Sequence, residues 1–166
     1  RESEITEICA SILNNKVTIL TGPSGIGKTR LSLEVCRQQD NGKTKVFCVK
    51  SNGNLLYEDI KYYISDPGRY LLFFDDANMV VSLDNVFDTI LTLPIEFDVK
   101  ILISVRDYAK ERVIDAASKY ALPSIIEIGC FKDEEIKDVL KADLGIVNSD
   151  YLKKIAEIAN GNIRLA

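Results

Sequence analysis

The segment Gly22-Pro23-Ser24-Gly25-Ile26-Gly27-Lys28-Thr29 satisfies the spacing G-x-x-x-x-G-K-[ST] in full. In that spacing the glycines let the backbone curl, so that successive N–H groups converge on phosphate oxygens, aided by the positive end of a following helix. Lys28 is then the residue that reaches β- and γ-phosphates, and the Thr29 hydroxyl is the one that ligates Mg2+. An ordinary glycine-rich turn is the alternative. The complete motif, set between a strand pattern and a helix pattern, argues against it.

Binding phosphate is not hydrolysing it, which requires a second acidic site on a neighbouring strand. Asp75-Asp76 follows the apolar run Tyr70-Leu71-Leu72-Phe73-Phe74 and supplies such a site. Asp75 is the candidate partner of Mg2+, and Asp76 the candidate that orients or deprotonates an attacking water. Ser104 and Arg106 end the next apolar run, and strand ends of an open parallel sheet line its ligand crevice. Arg106 is placed to meet a γ-phosphate or to stabilise charge during hydrolysis; a salt bridge to Asp107 or Asp75 is its bland reading. Arg164, in Gly161-Asn162-Ile163-Arg164, is either a second phosphate sensor or an exposed helix arginine.

Composition narrows the remaining chemistry. The 166 residues contain no histidine, which excludes a Ser-His-Asp or Cys-His nucleophile and every histidine-ligated metal site. Cys9, Cys36, Cys48 and Cys130 are widely spaced in apolar stretches and read as buried thiols, not disulfides or zinc ligands, pointing to a reducing compartment such as the cytoplasm. No apolar run approaches the ~20 residues that span a bilayer, and Arg1-Glu2-Ser3-Glu4 does not open like a signal peptide. A net charge of -4 gives no global attraction to nucleic acid or membrane. With 46% apolar residues the chain has ample material for one domain core.

Two alternating periodicities supply the elements that must hold these residues. Strand patterns fall at Val17–Thr21, Val46–Val49, Tyr70–Phe74, Val99–Val105 and Ile125–Ile128. Helical stripes run through Ile5, Ile8, Cys9, Ile12 and Leu13, from Lys28 to Gln38, through Leu56, Ile60, Tyr63 and Ile64, from Leu83 to Leu91, and from Ala109 to Ala117. The near-continuous apolar character of Tyr70–Phe74 is that of a strand covered on both faces of a parallel sheet. From Phe131 only helical patterns remain, so residues 1–130 read as an α/β core and 131–166 as a small helical cap. A further helix pattern opens at Ala166, as in a piece of something longer.

The sequence GPSGIGKT, LLFFDD, ILISVR and a cap ending GNIRLA together resemble the STAND class of P-loop ATPases, the signal-transduction branch related to AAA+ proteins. The resemblance covers nearly the whole chain. It implies a three-layer P-loop NTPase with a five-stranded parallel sheet in the order 5-1-4-3-2, an ATP/ADP-dependent switch that hydrolyses slowly, and fusion to effector and sensor domains. Many relatives act in immunity or in bacterial defence against phage, and ATP-dependent oligomers occur among them. Two departures are evident. Ile163 stands where many STAND proteins carry proline, at the cap's contact with adenine. Tyr120-Ala121-Leu122-Pro123 stands where AAA+ relatives usually place an arginine finger, which favours a cis-acting switch over a ring motor.

Other functions remain to be weighed. One is a binding module that keeps ADP or ATP as a structural cofactor without hydrolysing it. A small-molecule kinase is a third reading, and the absence of arginine between Phe131 and Ala159 argues against the arginine-rich lid of such enzymes. No N-K-x-D motif is present to read guanine, so ATP is favoured over GTP. The stripe of the first helix is either core or a wall beside adenine.

Overall fold

A computed structural model describes residues 1–50 and 56–165; Ala166, the last residue of the GNIRLA segment, lies outside them. The elements run α1 (Glu2–Asn14), β1 (Val17–Thr21), α2 (Lys28–Gln39), β2 (Thr44–Val49), α3 (Tyr57–Tyr63), β3 (Gly68–Phe74), α4 (Leu83–Leu91), β4 (Phe97–Ser104), α5 (Lys110–Ser118), β5 (Ser124–Glu127), α6 (Asp133–Leu144) and α7 (Ser149–Ala159). Short 3₁₀ turns at Ala77–Met79 and Asp107–Ala109 follow β3 and β4. The five strands form one parallel sheet in the order β2-β3-β4-β1-β5, the arrangement the family resemblance implies.

Alternation along the strands sorts their side chains onto two faces. Tyr70, Leu72 and Phe74 of β3, with Ile101 and Ile103 of β4, pack under α3, α4 and α5 through Ile60, Phe87, Ile90 and Val113. On the opposite face Leu71, Phe73 and Leu102 meet Ile8 and Ile12 of α1 and Leu31 and Val35 of α2. Both faces are therefore covered, and each fully buried residue of this size contributes about 1.5–3 kcal/mol of transfer free energy. The chain leaves β1 across one face through α2, and returns through β2, β3, β4 and β5 across the other. That reversal puts the C-terminal ends of β1, β3 and β4 beside one another at a switch point. Register fixes the alignment: Leu20 pairs with Ser104, and Phe74 with Ile103.

The strands start earlier than apolar runs alone indicate. Thr44 and Arg69 pair at one end of β2 and β3, and Arg69 pairs with Asp98 of β4. Backbone pairing carries the ladder through polar residues that face solvent, which hydropathy does not register. Two of the cysteine expectations are corrected. Cys36 is buried and Cys9 half-buried, but Cys48 and Cys130 are exposed. β2 is an edge strand in which Lys45 and Cys48 meet water and no side chain is fully buried, and Cys130 lies in the loop beyond β5.

The cap is an α6–α7 hairpin with a cluster of its own, Ile136, Leu140, Leu152, Ala156 and Ala159. Asn148 caps α7 by accepting from the backbone N–H of Asp150 and Tyr151, and α6 stops at Gly145 in the left-handed conformation. Among the described residues no helix is long and apolar enough to cross a membrane.

Candidate functional site

β1 ends at Thr21 and α2 begins at Lys28, so residues 22–27 form the loop between them. Two of its glycines are required by close approach. A Cβ on Gly22 (φ +141) would run into the Ile128 carbonyl, and one on Gly25 (φ +84) into the amide group of Asn162. The loop is thus clasped from the β5 side and from the cap. Asn162 Nδ2 donates to the Ser24 carbonyl at 3.2 Å, and Asn162 Oδ1 accepts from the Arg164 backbone N–H at 3.0 Å.

Lys28 is buried and folded back, its Nζ donating to the carbonyls of Gly22 at 2.6 Å and Pro23 at 2.8 Å. Burial lowers the Lys28 pKa from its ordinary value, while the carboxylates of Asp107, Asp76 and Asp75 act the other way. The ammonium therefore sits in a place short of compensating negative charge, as suits a residue that takes up a phosphate.

The strand ends assemble around it. Thr29 Oγ1 donates to Asp75 Oδ1 at 2.9 Å, and Ser104 Oγ donates to the same oxygen at 2.6 Å. Ser104 Oγ also accepts from the Asp76 backbone N–H at 2.9 Å, tying both aspartates to β4. Asp76 itself has φ +51, a left-handed conformation uncommon for a non-glycine residue, so its carboxylate is turned off the strand axis. There Arg106 meets it as a fork, Nε to Oδ1 at 3.2 Å and Nη2 to Oδ2 at 2.9 Å. The ion pair of Arg106 is therefore with Asp76, and with neither of the partners, Asp107 and Asp75, that its sequence neighbourhood suggests. Asp107 instead accepts from the Thr21 hydroxyl at 3.1 Å.

Ser24, Lys28, Thr29, Asp76, Arg106 and Arg164 line one cavity of about 410 Å3. A second cleft of about 760 Å3 adjoins it, with Gly27, Arg30 and Ile163 common to both. Its walls are Ile5 of α1, Leu31 of α2 and Val139 of α6, so it separates the core from the cap. Along α1, Ile8 and Ile12 are core, and Ile5 packs against that core and also lines the cleft. Arg164 stands exposed on the rim of the smaller cavity. Sequence reasoning missed Asn162 and Phe131. Asn162 sits two residues before Arg164, but nothing in its identity announces a contact 138 residues away. Phe131 reads simply as the first apolar residue of the cap.

The oxygen donors Thr29 and Asp75 suit Mg2+, which usually takes only one or two protein ligands beside phosphate oxygens and water. Among the described residues no group of three or more carboxylate or thiol ligands forms an independent metal centre.

A five-stranded parallel sheet of this order, with a phosphate loop after β1 and acidic residues after β3, is the fold of P-loop NTPases. No protein-family model matches the chain, and no curated protein sequence matches it. Solved structures of AAA+ ATPases do share its fold. The RuvB Holliday junction branch migration motor of Thermotoga maritima superposes with a TM-score of 0.69 at 18% identity, covering 99% of this chain and 57% of that one. The ORC1 protein of Aeropyrum pernix, in complex with DNA, gives a TM-score of 0.74 at 17% identity over 99% of this chain and 56% of that one. Hsp104 with ATPγS and FITC-casein gives 0.69 at 17% identity, over 96% and 33% respectively. The chain thus spans between about a third and three fifths of the length of these proteins.

Proposed function

We propose that this domain binds ATP or ADP and hydrolyses ATP slowly, as the switch of a larger cytoplasmic signalling or defence protein. The observation that carries the reading is convergence on one cavity of the phosphate loop, both strand-end aspartates or their hydrogen-bond partners, Arg106 and Arg164. Phosphoryl transfer to water is chiefly a matter of positioning and charge neutralisation, and no imidazole is needed. In this reading the backbone N–H groups of residues 24–29 hold the phosphates, and Lys28 leaves the two loop carbonyls for the β- and γ-phosphates. Thr29 and Asp75 would hold Mg2+, which when bound neutralises charge on the phosphate oxygens. Asp76 orients or deprotonates the attacking water once Arg106 has let go of its carboxylate. Arg106, drawn to the γ-phosphate, is the residue that distinguishes ATP from ADP, and Arg164 brings the cap into the same response.

Effector and sensor domains fused outside this segment, and an oligomer dependent on ATP, are the partners that the STAND resemblance supplies. The experiment is nucleotide binding and single-turnover hydrolysis on variants. Lys28→Ala should abolish binding, whereas Asp76→Ala should bind and lose turnover. Equal turnover in Asp76→Ala and wild type would remove the catalytic assignment. One observation favours a second reading, a regulatory module that keeps its nucleotide intact: Asp76 is engaged at both oxygens by Arg106 and is not available as a base in this conformation. MgATP left intact over hours at stoichiometric protein would decide for that module.

A further inference from the structure

α2 and β2 each bring a cysteine to the same place. α2 ends at Gln39 and β2 begins at Thr44, so a short turn folds the strand back beneath the helix. On β2, Val46 packs into the cluster that α1 and α2 form with the sheet, and Cys48, two residues on, shares its face. Cys48 stands in register with Phe73 of β3, and Phe73 belongs to the same cluster as Cys36 of α2. The two thiols meet there. Burial pushes the Cys36 thiol up, and Cys48 adds to the shift through its charge and through a hydrogen bond between the thiols. Their access to solvent differs: Cys36 is buried, whereas Cys48 lies on the open edge strand and is exposed.

We propose that Cys48 and Cys36 are an oxidisable pair, in which the exposed sulfur reacts with hydrogen peroxide and the buried one closes a disulfide onto it. In the first step the Cys48 thiolate attacks a peroxide oxygen. An S–O bond forms, the O–O bond breaks, and the leaving hydroxide takes up the thiol proton as water. In the second step the Cys36 sulfur attacks the Cys48 sulfenic acid. An S–S bond forms, the S–O bond breaks, and hydroxide leaves with the Cys36 proton as a second water. Two thiols thus give up two electrons and two protons, and one peroxide is reduced to two waters. The surroundings set this order. Cys36 is shielded from the oxidant and holds its proton, and the Cys48 charge that helps to hold that proton disappears once Cys48 is a neutral sulfenic acid. Cys9 on α1 and Cys130, which lies against Gly161, are placed elsewhere. Where thiols are kept reduced such a bond is transient. While it lasts, it ties the last turn of the helix that carries Lys28 and Thr29 to the edge of the sheet.

The test treats the reduced chain with hydrogen peroxide, quenches with catalase, alkylates in denaturant and digests with trypsin without reduction. Cleavage after Arg30, Arg37, Lys45 and Lys50 puts the two cysteines on separate peptides, 31–37 and 46–50. Mass spectrometry should find these joined as the main oxidised product of Cys48, and dithiothreitol should release them. In Cys36→Ser, Cys48 should instead accumulate as a sulfenic acid that dimedone traps. The joined chain should melt about 5–8 °C above the reduced one, the shift expected from closing a loop of this length in a chain of this size. Peptides that join only after the chain is unfolded would overturn the pair, as would a joined chain that melts no higher than the reduced one. So would Cys48 carried to sulfinic acid or linked to Cys130 while Cys36 stays open to alkylation, or Cys48 left as a free thiol.

Discussion

Ser104→Ala removes one hydroxyl that serves both aspartates, and its cost follows from the contacts. The side chain is 2% exposed, donates to the Asp75 carboxylate at 2.6 Å and accepts from the Asp76 backbone N–H at 2.9 Å. Losing a hydrogen bond to a charged group costs about 1.5–3 kcal/mol, and Asp75 keeps its bond from Thr29. The Asp76 N–H lies on a half-buried residue, so water replaces its acceptor in part and the lower end applies, about 2 kcal/mol. For 166 residues an unfolding entropy of about 2.1 cal/mol/K per residue converts each kcal/mol to about 3 °C, giving a loss of about 6 °C in Tm. Differential scanning calorimetry without nucleotide measures it. If the proposed function holds, with the phosphate loop holding the nucleotide and the strand ends serving hydrolysis, the same variant should lower single-turnover ATP hydrolysis more than ATP affinity. A Tm within about 1 °C of wild type, together with unchanged turnover, would refute the view that Ser104 fixes both aspartates.

Further outcomes are expected elsewhere in the molecule. Gly25→Ala should detach the cap from the phosphate loop, since its Cβ falls on the Asn162 amide at a left-handed φ; faster amide hydrogen exchange in α6 and α7 would report it. Asn162→Ala should give a milder version, losing the bond to the Ser24 carbonyl, and should weaken nucleotide affinity by severalfold in titration. Native alkylation followed by mass spectrometry should label Cys48 and Cys130 quickly and spare Cys36, whose thiol is pushed up to about 12, first by burial and then by its neighbour Cys48. Because that folded value lies above the ordinary 9.0, the unfolded thiol ionises first, so Cys36 favours the fold at neutral pH and loses this contribution as pH rises from 9.0 toward 12. Cys36→Ser should flatten that alkaline loss in denaturation curves. Lys28 has the opposite sign for the same reason: its folded pKa is lowered, so stability rises with pH through the window below 10.5, and Lys28→Met should remove that rise.

The fold was largely legible because each of its elements has a strong local cause. Tyr70–Phe74 is apolar at every position, which only a strand covered on both faces tolerates, and all five of those residues are buried. The phosphate loop announces itself through glycines that the backbone requires for close approach, and a required glycine is visible in sequence. What was not legible is whatever depends on which surface meets which. Leu13 continues the stripe of α1 yet is 70% exposed, in the last turn of the helix. Cys48 sits in an apolar run yet faces water, since an apolar run does not say whether its strand is central or at an edge.

The same distinction governs the site. Spacing along the chain puts Asp75, Asp76, Ser104 and Arg106 at strand ends, and parallel register then brings those ends together. Spacing does not fix which charge meets which, because that turns on single torsions. Asp76 takes φ +51, and in that left-handed conformation its carboxylate meets the Arg106 fork. With the backbone extended at that position the two aspartates would project to opposite faces of the strand. The candidate base and the candidate γ-phosphate sensor thus neutralise one another. In the proposed function an anion that draws Arg106 off would free Asp76 in the same movement, so that binding of a γ-phosphate and exposure of the base would be one event. ADP lacks that phosphate and on this reading would leave the pair closed, so the two nucleotides would have opposite effects on one side chain without any larger motion of the sheet.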